Sequence, residues 1–156
     1  MTHATLKAAS VRIDAAPTDA VRQGMHGEWR ILMGTVAFNG HIIFCRDLEK
    51  TARFYEDVLG FEREWGDRQH INLLAPVTGT GDAKVNLFLH HGDDPSPVDL
   101  GMYDTDDVDA VVAKVRASGC SVGTEPADAP WGVREATVRD PDGNGLYISG
   151  PLRPAP

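Results

Sequence analysis

The chain is predicted to be an α+β domain, and three observations carry that prediction. The order strand, helix, strand, strand, strand can be read twice along the 156 residues. Each helix runs from an aspartate cap to a glycine thirteen positions later, Asp47 to Gly60 and Asp106 to Gly119, so the two units are offset by 59 residues at both ends. The last unit closes on Asp140-Pro141-Asp142-Gly143-Asn144, where Pro presets φ, Gly accepts a positive φ, and Asp and Asn bond their own backbone. Alternating polarity from Arg134 to Val138 before it, and Leu146-Tyr147-Ile148 after it, make this a hairpin. If Leu146 and Ile148 face the core, Tyr147 faces the other way.

Residues 1 to 28 show no sustained period beyond one helical turn's worth at Thr18 to Arg22, and are expected to be an extension that is mobile at its start. A single domain is expected over 29–152, with module one at about 35–91 and module two at about 98–150. Arg30 to Met33 and Thr35 to Phe38 suggest one strand, or a strand broken at Gly34. His41 to Cys45 is a buried-strand pattern, ended by Asp47 as a helix cap. Leu48, Thr51, Ala52, Tyr55, Val58 and Leu59 then fall on one helical face, and Gly60 sits where a left-handed cap belongs. Three short strands follow near Phe61 to Trp65, His70 to Leu74 and Lys84 to His90. In the second unit Asp99 to Thr105 reads as a strand, Asp106-Asp107 as a cap, and Val108, Val111, Val112 and Val115 as the buried stripe of a helix ended by Gly119.

With 42% hydrophobic residues the chain has material for one ordinary core. A formal charge of -8 argues against nucleic acid and anionic membranes, and leans toward a cationic or neutral ligand. Cys45 and Cys120 stand 75 positions apart, which excludes a paired-cysteine zinc or redox motif and fits a reduced, cytoplasmic setting. The longest apolar run, Ile31 to Phe38, is too short to span a bilayer, and no signal peptide is read at the start.

Two stretches carry a family resemblance. Asp140 to Asn144 before a short apolar strand, led in by Trp131-Gly132-Val133-Arg134-Glu135, resembles the vicinal oxygen chelate superfamily of glyoxalase I, bleomycin-resistance proteins and extradiol dioxygenases. Asp47 to Lys50 followed by Phe54 to Glu62 resembles the first helix of the same family. The resemblance spans roughly 36 to 150 and implies two βαβββ modules forming a curved, mixed eight-stranded sheet around a concave pocket, with the helices outside.

In the metal enzymes of that family, His and Glu side chains on four strands hold one divalent ion, which chelates two vicinal oxygens of the substrate. Here the resemblance places Tyr147 at the last glutamate and Gly40 at the first histidine, with His41 one residue out of phase. The third position falls near Leu100, with Asp99 adjacent, and the remaining strand offers Asn86, Phe88 and His90. No metal and no other cofactor are therefore expected; a divalent ion would need His41 and His90 as ligands.

The pocket is instead expected to be aromatic, with Phe44, Phe88, Tyr147, Trp131, Asn86 and His41 contacting ligand, although Phe44 and Phe88 would serve equally as core filling. This pattern is most similar to the bleomycin-resistance branch, and implies a homodimer that sequesters an aromatic or cationic natural product unchanged. The alternatives are a metal-dependent lyase, isomerase or dioxygenase of the same superfamily, and a metal-free enzyme of secondary metabolism in which Glu135, Tyr147 or His41 moves a proton. Only one of Arg134 and Glu135 can point into the pocket, and the sequence leaves the choice open.

Overall fold

A computed structural model describes residues 38–79 and 81–152. The expected extension at 1–28 and the proposed strand at Arg30 to Met33 lie outside the described residues. Module one contains β1 (Gly40–Cys45), α1 (Leu48–Leu59), β2 (Glu62–Gly66), β3 (His70–Pro76) and β4 (Lys84–His91). Module two repeats the order as β5 (Asp99–Asp104), α2 (Val108–Ala117), β6 (Val122–Asp128), β7 (Val133–Arg139) and β8 (Gly145–Pro151).

The strand orders are β1-β4-β3-β2 and β5-β8-β7-β6. In each sheet the first strand pairs in parallel with the last and the remaining pairs are antiparallel. The two βαβββ modules are thus as expected. Their eight strands form two four-stranded sheets, however, because no hydrogen-bonded ladder joins β1 to β5.

Local chemistry sets both helix ends. The Asp47 carboxylate accepts from the Lys50 backbone N–H at 3.0 Å, satisfying one of the helix's orphan donors. At the other end Gly60 takes φ 73° and its N–H reaches back to the Glu56 carbonyl at 3.1 Å, with the Phe61 N–H on the Tyr55 carbonyl at 3.0 Å, a left-handed closure that only a glycine enters without strain. In module two the cap is Asp107, the second of the two aspartates expected there, accepting from the Ala110 N–H at 2.9 Å. The duplication is therefore shorter by one residue between cap and glycine in its second copy.

Each helix packs on one face of its own sheet. Ala52, Tyr55 and Val58 of α1 join Ile43, Cys45, Ile71, Leu73, Leu87 and Leu89 in the core, while Val108, Val112 and Val115 of α2 join Ala136, Val138, Leu146 and Ile148. Phe54, absent from the expected stripe, is buried as well, and Leu59 and Val111 are half-buried.

The β7–β8 hairpin locks the modules together. Asp142 accepts from the Thr51 hydroxyl at 2.7 Å and the Arg46 backbone N–H at 3.0 Å. Asp140, nearly fully buried, accepts from the Tyr55 hydroxyl at 2.9 Å, from the Asn144 amide at 2.8 Å, and from the backbone N–H groups of Asp142 and Asn144, each at 2.9 Å. The residues that read as a tight turn therefore also plug module two into helix α1 of module one. Among the described residues no helix is long and apolar enough to cross a membrane.

Candidate functional site

Strand alternation decides what each sheet offers on the side away from its helix. Burial of Ile43, Cys45, Leu87, Leu89, Ile71 and Leu73 turns Ile42 and Phe44 of β1, Asn86, Phe88 and His90 of β4, and His70 and Asn72 of β3 to the open face. In module two, burial of Ala136, Val138, Leu146 and Ile148 does the same for Glu135 and Thr137 of β7 and Tyr147 of β8. Large apolar groups are left uncovered around these faces: Ile42 is 60% exposed, Phe44 54%, Trp131 67% and Met102 72%.

The choice between Arg134 and Glu135 is resolved by α2. The Arg134 guanidinium binds Asp109 of that helix at 2.5 and 3.0 Å and Asp128 at 2.7 Å, so it is held on the helix side. Glu135 consequently faces the open side, where its Oε2 accepts from the Trp131 indole N–H at 3.1 Å and from the Tyr147 hydroxyl in a short contact. The hydrogen bond to that carboxylate is the main cause holding the Tyr147 phenol above its ordinary pKa, with burial second. Trp131, Glu135 and Tyr147 thus form one unit: an exposed ring plane, a phenol, and a carboxylate that orients both. It can stack a flat ligand and hydrogen-bond to it, and the phenol and carboxylate together can hold or pass a proton.

The open face of module one is built differently. Phe44 meets His90 edge-on with ring centroids 5.6 Å apart, and His90 meets His70 at 4.7 Å. Burial, then the neighbouring His70, pushes the His90 imidazole below its ordinary pKa, favouring the neutral ring. Asn86 accepts from Asn72 at 2.9 Å and donates to Asn39. His41 does not join this face. It shares the register of Ile43 and Cys45, packs against Phe38 at 5.2 Å, and lines a cavity of about 650 Å³ bordered by Leu59, Phe61, Leu87 and Tyr103. Asn86 reaches that cavity's rim, whereas Phe44, Phe88, Trp131 and Tyr147 are not among its walls.

Three of the four positions that the resemblance assigns to metal ligands do not fit a divalent ion. Gly40 has φ +152°, and a Cβ built on it would stand 2.0 Å from the Asn86 carbonyl oxygen, so a ligating side chain cannot occupy this strand as it lies. Leu100 is buried in the core, Asp99 is turned to Arg139 at 3.2 Å, and Tyr147 is a phenol committed to Glu135. Among the described residues no three His, Cys, Asp or Glu side chains come together in a way that could hold an ion.

Sequence reasoning did not single out His70, Asn72, Glu64 or Trp65, all of which lie on or beside the open face of module one. The alternation of His70, Asn72 and Leu74 against Ile71 and Leu73 was a signal available for the first two. Nothing in the sequence announced the β-bulge that brings Trp65 opposite Asn72.

Comparison with known proteins agrees with this architecture. A Salmonella typhimurium protein named virulence protein STM3117 is 29% identical over 119 residues, covering 69% of this chain and 79% of that one. The crystal structure bearing that name superposes with a TM-score of 0.55 at 25% identity, covering 77% of this chain and all of the other. A glyoxalase/bleomycin resistance protein/dioxygenase family enzyme from Burkholderia phytofirmans PsJN gives a TM-score of 0.61 at 22% identity, over 74% of this chain and the whole of its own, a likeness of fold. Residues 35–148 match the family itself, over most of the chain, and this match places the protein in the Glyoxalase/Bleomycin resistance protein/Dioxygenase superfamily.

Proposed function

We propose that the protein binds and sequesters an aromatic or cationic natural product on the open faces of its sheets, without a metal and without altering the ligand. The observation that carries this reading is the Trp131–Glu135–Tyr147 unit beside uncovered apolar side chains. An indole two-thirds exposed, yet tethered by its N–H, is a pre-oriented stacking surface that loses little freedom on binding. The donor set at the family's metal positions supports a metal-free site. The exposed Ile42, Phe44 and Met102 favour a homodimer in which one copy covers the open face of the other. The two free cysteines suit a cytoplasmic location.

A metal-free enzyme is the second reading, and one observation favours it: the short Tyr147–Glu135 contact pairs a proton donor with a carboxylate on an accessible face. A single substitution separates the two. Tyr147→Phe keeps the ring and removes the hydroxyl, so a binder should lose no more than about tenfold in affinity, the worth of one hydrogen bond. Loss of turnover by orders of magnitude with binding retained would move the assignment to proton transfer. The measurement to make first is metal content of untagged protein before and after incubation with Zn, Ni, Mn and Fe(II). About one ion retained per chain after desalting would overturn the metal-free reading. Ligand screening by quenching of Trp fluorescence then follows, with recovery of unchanged compound as the criterion for sequestration.

A further inference from the structure

The edge strand β2 carries an extra residue. Arg63 lies opposite Leu73 and Trp65 lies opposite Asn72, so Glu64 is the bulged position between them. Arg63 remains on the helix side, bonded to Glu49 and Glu56. Trp65, which regular alternation would have placed with Arg63, comes instead to the side of Asn72. The bulge therefore puts a carboxylate and an indole next to each other at the rim of the open face.

Asn72 is 1% exposed and its amide is fully constrained in direction. Its nitrogen donates to Glu64 Oε2 at 2.6 Å and to Asn86 Oδ1 at 2.9 Å. A carboxylate cannot donate, so the atom facing Glu64 must be the nitrogen, and the carbonyl oxygen points elsewhere. That oxygen, Asn72 Oδ1, is buried and has no hydrogen-bond partner. Asn86 does not satisfy it, since the Asn86 nitrogen is already spent on the Asn39 side chain and backbone oxygens at 2.9 and 3.1 Å. A buried acceptor without a donor is uncommon in native proteins and calls for a partner.

Charge points the same way. Glu62 on the same strand is ion-paired with Lys84, and Glu49 of α1 with Arg63. Among the described residues no cation pairs with Glu64; its only bonded partner is the Asn72 amide. Trp65, 39% exposed, adds a ring face that attracts positive charge. The Glu64 carboxylate and Asn72 Oδ1 accept hydrogen bonds, and the Trp65 ring face attracts positive charge.

We propose that Glu64, Trp65 and Asn72 form a subsite for the charged N–H donor of a ligand, a primary ammonium or a guanidinium carried on an apolar body. This deepens the sequestration reading and rests on it: the subsite names the polar end of the molecule whose flat part the open faces bind.

The test uses three probes with one ring system, 1-naphthylmethylamine, 1-naphthylmethanol and 1-naphthoate, titrated into the full chain by calorimetry at pH 7 and low salt. The amine should bind at least tenfold more tightly than the alcohol, with the naphthoate weakest. Glu64→Gln, an exposed and nearly isosteric change, should bring the amine within threefold of the alcohol. Trp65→Leu should weaken the amine more than the alcohol. Equal binding of the amine and the alcohol, or an amine preference that survives Glu64→Gln, would overturn the subsite and leave the sequestration reading standing, with water as the partner of Asn72. Failure of the folded protein to bind any of the three at millimolar concentration would overturn both.

Discussion

The hydrogen bond between Tyr55 and Asp140 joins the first module's helix to the second module's hairpin, and its strength can be measured directly. Tyr55 is fully buried and Asp140 is 4% exposed, with the hydroxyl at 2.9 Å from the carboxylate. Removing the hydroxyl in Tyr55→Phe deletes one bond to a charged acceptor and leaves Asp140 three donors, so about 1.5–3 kcal/mol should be lost. For a domain of this size that is a fall of roughly 5–10 °C in Tm. Asp140→Asn should cost more, because an NH₂ group then faces donors that previously met an oxygen. In that background the Tyr55→Phe change should be cheaper, giving a coupling of about 1 kcal/mol or more in the double-mutant cycle. Urea unfolding at pH 7 followed by circular dichroism supplies all four corners, provided the m-values agree. Additivity within about 0.5 kcal/mol would refute the idea that this bond clamps the modules. Thr51→Val, which removes the Thr51 hydrogen bond to Asp142 and leaves the one from the Arg46 N–H, is an independent arm should Asp140→Asn fail to fold.

Burial outweighs the hydrogen bonds at Asp140 and raises its pKa above the usual carboxylate value of 3.8, so the folded state keeps this proton to higher pH than the unfolded state. Stability of the wild type relative to Asp140→Asn must then decline as pH rises from that value, and a difference that grows with pH would contradict the assignment. Gly40→Ala should strip several kcal/mol or abolish folding, since the added carbon meets the Asn86 carbonyl 2.0 Å away; an unchanged unfolding midpoint would show that β1 can slide. The Cys45 thiol, pushed up to about 12 by burial and then by Asp142, should be inert in the native protein. Ellman's reagent at pH 8 should therefore report at most one thiol before denaturation and two after it, and prompt reaction of Cys45 would show the core to be open.

What was legible in the sequence was what local chemistry determines. Asp47 and Gly60 are a cap and a left-handed stop whatever they pack against, and the alternation that buries Leu146 and Ile148 necessarily turns Tyr147 outward. His41 shows the limit: periodicity fixed its phase relative to Ile43, but only the helix packed on that side shows that the phase is the one away from Tyr147 and Glu135. Arg134 and Glu135 were undecidable for the same reason, because the deciding partner, Asp109, lies 25 residues away on α2. For the second helix either of Asp106 and Asp107 satisfies the local capping rule, and the Thr105 hydroxyl, accepting from the Asp107 N–H at 3.2 Å, favours the later one. Trp65 was beyond reach because a bulge changes which face a residue occupies without changing its neighbours in sequence.

The duplication does not make the two open faces equivalent. In module two the carboxylate of Glu135 is already supplied with donors by Trp131 and Tyr147, so its charge is spent on holding those rings in place. In module one, among the described residues, the carboxylate of Glu64 holds only an amide, and the same amide has an oxygen without a donor. One module therefore presents oriented rings and the other unmet acceptors. The proposed ligand, with a flat apolar part and a cationic end, would address both kinds of face at once. The hairpin that plugs Asp140 and Asp142 into α1 is what keeps this division fixed, because Tyr147 follows it by three residues on β8 and inherits its position from the same buried carboxylates.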